Sequence, residues 1–148
     1  MKVVLRSSSP LLSLLGIPAV PTAPEAMAVL RRGSADRVYI GMSALDVLAE
    51  FNERAKFNEL NSRADIFLGP GKQRHPDLSL ELTDGVVTGI QVYSPRYKTE
   101  TGVGPGDNLI TLANQYELRW TADNTAEVGE LKMRFQFEKD RIISVLLS

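Results

Sequence analysis

The sequence predicts an α+β fold in which two tandem helix-plus-antiparallel-strand units share one sheet, with their helices packed on one face. Three observations carry this expectation. Two segments place apolar residues at helical spacing, each leads into segments of alternating apolar residues, and the two sets superimpose in order.

The first 30 residues read as a Pro-rich lead. Pro18, Pro21 and Pro24 exclude regular helix or central strand there. Lys2 and Arg6 precede an apolar run from Pro10 to Val20, with small residues at Thr22-Ala23 and Ala26-Met27-Ala28. That is the layout of an export signal and favours a periplasmic or secreted protein. The competing reading is a short strand at Val3 to Arg6 with an irregular lead, and it leaves the cytoplasm open. The run falls short of the roughly 20 apolar residues of a spanning helix, so no membrane span is expected. Glu25 to Arg32 can form a short helical turn, and the domain proper is placed at 31–148.

Ser43 and Asp46 form a capping pair at the start of a helix reaching about Asn58. Ala44, Leu45, Val47, Leu48, Phe51 and Ala55 are its apolar stripe. Ile66 to Leu68 read as a short strand and Gly69–Asp77 as a polar loop. Leu78, Leu80 and Leu82 alternate with Ser79, Glu81 and Thr83, the period of a half-buried strand. Asp84-Gly85 is a hairpin turn, and the return strand runs from Val86 to Tyr93. After the connector Ser94–Asp107, a second helix runs from Asp107 or Asn108 to about Tyr116. Strands follow at Leu118 to Thr121, around Met133, Phe135 and Phe137, and from Arg141 to Leu147.

Laid on each other, Ala44, Leu45, Val47 and Phe51 meet Leu109, Ile110, Leu112 and Tyr116 at an offset of 65 residues. Leu78, Leu80 and Leu82 meet Met133, Phe135 and Phe137 at an offset of 55. The units cover about 38–94 and 101–148, and the first carries ten extra residues that include the Gly69–Asp77 loop. Neither unit alone has enough core, because one helix on one hairpin leaves an apolar sheet face partly bare.

Ile40-Gly41-Met42-Ser43 with Val47 and Phe51, and Val103-Gly104-Pro105-Gly106-Asp107 with Leu112 and Tyr116, give a layout that resembles the tandem-repeat β-lactamase-inhibitor-like fold and its single-repeat SmpA-type lipoprotein relative. The chain departs from both: it has no Cys, hence neither a lipid-acceptor Cys nor the inhibitor branch's disulfides. The resemblance implies a non-catalytic, protein-binding module, often exported.

Charge and composition exclude several classes. With 17 basic and 18 acidic residues the net charge is −1, so the basic footprint of nucleic-acid binding is missing. Without Cys there is no thiol nucleophile and no usual zinc or iron–sulfur ligation. His75 is the only His and lies in a polar loop, with no Gly-x-Ser-x-Gly elbow anywhere. No enzyme, no metal and no cofactor is expected. Gly102 to Asp107 lacks the Lys-Ser/Thr of a phosphate loop and reads as a turn plus helix cap. Glu50, Glu53 and Glu59 read as solvated charge.

The candidate site is therefore a surface for another protein. Arg96, Tyr97 and Lys98 open the connector, Trp120 follows the second helix, and Glu81, Arg134 and Gln136 form a polar row on an open sheet face. Core closure is the competing role for Trp120 and Tyr93. The function expected is a non-catalytic protein-binding or inhibitory module acting through that face and the connector loops. The alternative is a small-ligand pocket between sheet and helices near Trp120.

Overall fold

The computed structural model describes residues 28–148. The order is β1 (Ala28–Arg31), β2 (Ser34–Ala35), β3 (Val38–Tyr39), α1 (Ala44–Phe51), β4 (Ala55–Phe57), β5 (Arg63–Ile66), β6 (Leu78–Thr83), β7 (Val86–Val92), β8 (Tyr97–Thr99), α2 (Leu109–Ala113), β9 (Arg119–Ala122), β10 (Thr125–Val128), β11 (Met133–Glu138) and β12 (Arg141–Leu147). An eight-stranded antiparallel sheet has the order β4-β5-β6-β7-β12-β11-β10-β9. A four-stranded sheet has the order β3-β2-β1-β8, with β1 and β8 parallel.

This overturns the α+β expectation. The protein is mostly β: α2 has five residues, and helices do not clothe a sheet face. The physical reason lies at the helix ends. Asn52 takes a positive φ of 53° and donates its N–H to the Leu48 carbonyl, which stops α1. Ala55, which fits the helical stripe, instead pairs with Ile66, and Phe57 with Ala64, as strand β4. In the second segment, Asn114 caps α2 before Tyr116 is reached. The segment expected to turn helically before Arg32 is strand β1 over its described part. The units are not a balanced tandem either, because the small sheet occurs once and has no second copy. The expected export signal and the Val3 to Arg6 strand lie outside the described residues.

What the two halves of the large sheet do share is strand register. A bulge falls at Glu81/Leu82 in the β6–β7 hairpin and at Gln136/Phe137 in the β11–β12 hairpin. Each helix entry is pinned to its own hairpin by the same bonds: Gly41 N–H to Val87 O and Ala44 N–H to Gly85 O, then Gly106 N–H to Ile142 O and Leu109 N–H to Asp140 O, all at 2.8 Å.

One face of the large sheet is apolar. Leu78, Leu80, Ile90, Met133, Phe135 and Val145 are buried on it. Val47 and Phe51 of α1, Leu112 of α2, and Leu30, Ala35, Val38 and Tyr97 of the small sheet join the same cluster. The hydrophobic effect thus closes this face with a sheet and two short helical turns. Among the described residues no helix is long and apolar enough to cross a membrane.

Candidate functional site

Beside α1 the surface departs from the usual balance of buried apolar and exposed polar groups. Ser43 caps the helix, its Oγ accepting the Asp46 N–H at 3.1 Å. That phase turns Val47 and Phe51 inward and leaves Leu45 and Leu48 outside, 78% and 47% exposed. Across from them stands the β4–β5 turn. Asn58 staples it, with Oδ1 accepting the N–H groups of Ser62 (2.9 Å) and Arg63 (3.1 Å). Leu60 sits on this turn, 84% exposed. Phe57 and Leu82 form the floor between the two walls, and Asn61, Ser62 and Asp84 supply polar atoms. The resulting open groove has a volume of about 630 Å³. Large exposed apolar groups gathered in one place mark interaction surfaces, whereas scattered ones do not.

The residues singled out from sequence fall in three places. Glu81, Arg134 and Gln136 do share the polar face of the large sheet. Cross-strand pairs run there from Lys56 through Asp65, Ser79, Gln91, Leu146, Arg134 and Glu127 to Arg119. The polar groups of this face largely satisfy one another. Ser79 Oγ donates to Asp65 (2.8 Å), which also pairs with Arg63 (3.0 Å). Gln91 donates to Gln136 (3.0 Å), and Glu127 lies between Arg119 and Arg134. A network closed on itself is a solvated face rather than a set of open valences.

The connector residues are scattered by the fold. Arg96 is exposed, but Tyr97 is only 3% exposed and belongs to the core. Burial, with Asp36 nearby as a lesser cause, pushes its phenol up to about 12. Lys98 is tied down: its Nζ donates to Asp107 at 2.8 Å and to the Pro105 carbonyl at 3.2 Å. Asp107 also accepts the Gly104 N–H at 2.9 Å. Burial raises the Asp107 carboxyl, but the Lys98 and Gly104 hydrogen bonds and the charges of Lys98 and Arg141 outweigh it and hold the group below its ordinary range. The Gly-rich segment is thus a staple, and Asn108 rather than Asp107 caps the helix. At Gly104 an added Cβ would stand 2.0 Å from the Tyr97 carbonyl oxygen, so only glycine fits.

Trp120 lies on edge strand β9, half exposed, with its ring 5.5 Å from that of Phe137 and tilted by 44°. Its place in the register explains it. The pairing Trp120–Ala126–Phe135 in the second half corresponds to Phe57–Ala64–Leu80 in the first. Phe137 likewise corresponds to Leu82, the two residues just past the matched bulges. The floor of the groove, Phe57 and Leu82, is therefore the smaller version of the Trp120–Phe137 pair. Sequence reasoning missed the groove because Leu45 and Leu48 were counted into the core stripe. Leu60, a bare leucine in a polar turn, was the available signal.

No family model matches the chain, and no curated protein matches it. Among solved structures it is similar to the uncharacterized protein yfeY from Escherichia coli, at 13% identity and a TM-score of 0.48. The match covers 83% of this chain and 96% of that one. A likeness at that score carries no argument.

Proposed function

We propose that the chain is a non-catalytic protein-binding module and that its docking surface is the groove beside α1. The observation that supports this is the trio Leu45, Leu48 and Leu60, two of them more than three-quarters exposed around one depression. Covering a leucine side chain is worth about 1.5–3 kcal/mol, so a partner laid across the trio gains a compact hot spot. The closed network of the polar face makes it a rim or a solvated surface in this reading, and of the connector residues Tyr97 and Lys98 are structural. The inhibitory role and the exported location expected from the sequence belong to the same proposal.

Affinity capture with the full chain as bait, in parallel with Leu60→Asp, tests it. A partner held by the native chain and lost with Leu60→Asp, both folded by circular dichroism, is the expected result. A partner held equally by both removes the groove. The groove volume also lies within the roughly 300–1,000 Å³ of small-molecule sites. The alternative, a small apolar ligand in this groove rather than near Trp120, predicts a thermal shift with a purified metabolite that Leu60→Asp abolishes.

A further inference from the structure

We propose that the groove beside α1 receives a cationic amphipathic segment of the partner protein, one that sets Lys or Arg between apolar side chains. This rests on the docking reading above and names the chemistry of what enters. The walls are α1 with its cap (43–51), the β4–β5 turn (58–62) and the end of β6 with its turn (82–85). Their charged residues are Asp46, Glu50, Glu59 and Asp84, and none of the three stretches contains a Lys or Arg. In a chain of 17 basic and 18 acidic residues, that one-sidedness is local. Glu50 is taken up by Arg37 at 2.9 Å. Asp46, Glu59 and Asp84 are exposed, and no ion pair among the described residues includes them.

The strand register keeps the neighbouring cations away. Phe57 on the groove floor pairs with Ala64, so the alternating residues Lys56 and Arg63 belong to the opposite face. There Lys56 stands across from Asp65 and Arg63 across from Glu81, and Arg63 also holds Asp65 at 3.0 Å. The three leucines are therefore ringed by carboxylates alone. A partner segment with acidic flanks would bring like charges together at each wall. One with Lys or Arg flanks meets Asp46 on the helix, Glu59 on one turn and Asp84 on the other. Lys and Arg stems also lie along apolar surface while their charged heads stay in water, which suits Leu45 and Leu60. Asp84 is held at a φ of 53° in the β6–β7 turn, so its carboxylate stands on a fixed backbone.

The test uses the full chain labelled with ¹⁵N and capped peptides of one leucine pattern, with lysine, serine or glutamate between the leucines. Amide shifts at Leu45, Leu48, Leu60 and Asp84 are expected with the lysine peptide. Its affinity should be about tenfold above that of the serine peptide, the scale of a few exposed ion pairs. Salt at about 1 M, where the Debye length is about 3 Å, should erase that difference. The double substitution Glu59→Gln with Asp84→Asn should bring the lysine peptide within about twofold of the serine peptide. Asn accepts the positive φ of this turn as Asp does, so the hairpin is kept. A folded double variant that retains the lysine preference overturns the proposal; if that variant does not fold, the salt dependence on the native chain decides. Tighter binding of the glutamate peptide, or shifts clustered elsewhere, also overturns it. So does a concentration-dependent dimer of the native chain that Leu60→Asp abolishes, which would put a second copy in the groove. Equal binding of the lysine and serine peptides, with a partner still lost through Leu60→Asp, would retain the docking reading while removing the cationic segment.

Discussion

The half of the large sheet that starts from α1 and the half that starts from α2 are threaded through the same register, yet one ends in a groove and the other in a stacked aromatic pair. In both, a capped helical turn is bonded to the loop of its own hairpin, and a bulge falls one residue before the outermost core side chain. The difference lies in what stands on that frame and in the outer turn: residues 58–62, with Leu60, join β4 to β5, whereas Asp123-Asn124 alone join β9 to β10. Leu82 and Phe57 leave space where Phe137 and Trp120 fill it. The pairing of strands fixes where a depression can form, and the floor side chains together with the length of the outer turn decide whether it does.

The sharpest way to break the comparison is through its shared core. Phe135 and Leu80 occupy matching central positions and are both essentially buried. Phe135→Ala is expected to cost about 3–5 kcal/mol and Leu80→Ala about 2–5 kcal/mol, measured by urea unfolding with a single transition for each. Two separate transitions would show that the halves are independent, contrary to one shared cluster. A smaller effect tests the staple that only the second half has. Asp107→Asn is expected to lose on the order of 1 kcal/mol at neutral pH. Because its folded pKa is depressed, the carboxylate's contribution is present above its unfolded pKa near 4 and is lost as pH falls through the folded value. Acid titration of stability should therefore be shallower in Asp107→Asn than in the native chain.

The two caps come next. Ser43 and Asn108 each accept a backbone N–H three residues on, at 3.1 and 2.9 Å. Ser43→Ala and Asn108→Ala are each expected to cost about 1 kcal/mol, by the same unfolding measurement. Equal losses support equal roles, and a silent Asn108→Ala would mean that the hairpin bonds alone hold the shorter helix. The smallest effect at neutral pH belongs to the small sheet, which neither half duplicates. Tyr97→Phe should change stability there by about 1 kcal/mol or less, the scale of one buried hydrogen-bonding group. Its raised phenol contributes stability that is full below the unfolded pKa near 10 and is lost as pH rises towards about 12. A late tyrosinate absorbance step, missing from Tyr97→Phe, checks this.

The long hairpins were legible because alternation over six or seven residues around Asp-Gly and Lys-Asp turns has no helical counterpart. Strand β4 was not, since Ala55 fits the continued helical stripe and only pairing with β5 decides otherwise. The small sheet was invisible for a different reason. Two of its strands have two residues each, and β1 meets β8 in parallel across a long stretch of sequence. Tyr97 shows how this misleads: flanked by Arg96 and Lys98, it reads as surface, and the parallel pairing buries it. For the groove, Val47 and Phe51 four apart define the buried line of α1, and Leu45 and Leu48 lie off it. A stripe wider than one face was the warning that some of its leucines had to remain outside.

The joint between β7 and β12 has a consequence for how the chain folds. Every other neighbour pair in the large sheet is consecutive in sequence, while this pair joins the two halves through Val145 with Val92, Leu146 with Gln91 and Leu147 with Ile90. Loop-closure entropy makes such a contact slow compared with a hairpin. The two hairpin arrays close over shorter stretches of sequence than this seam does. Until it closes, Ile90 and Leu147 are unshielded, and the unpaired edges of β7 and β12 are open to the same strands of a second molecule.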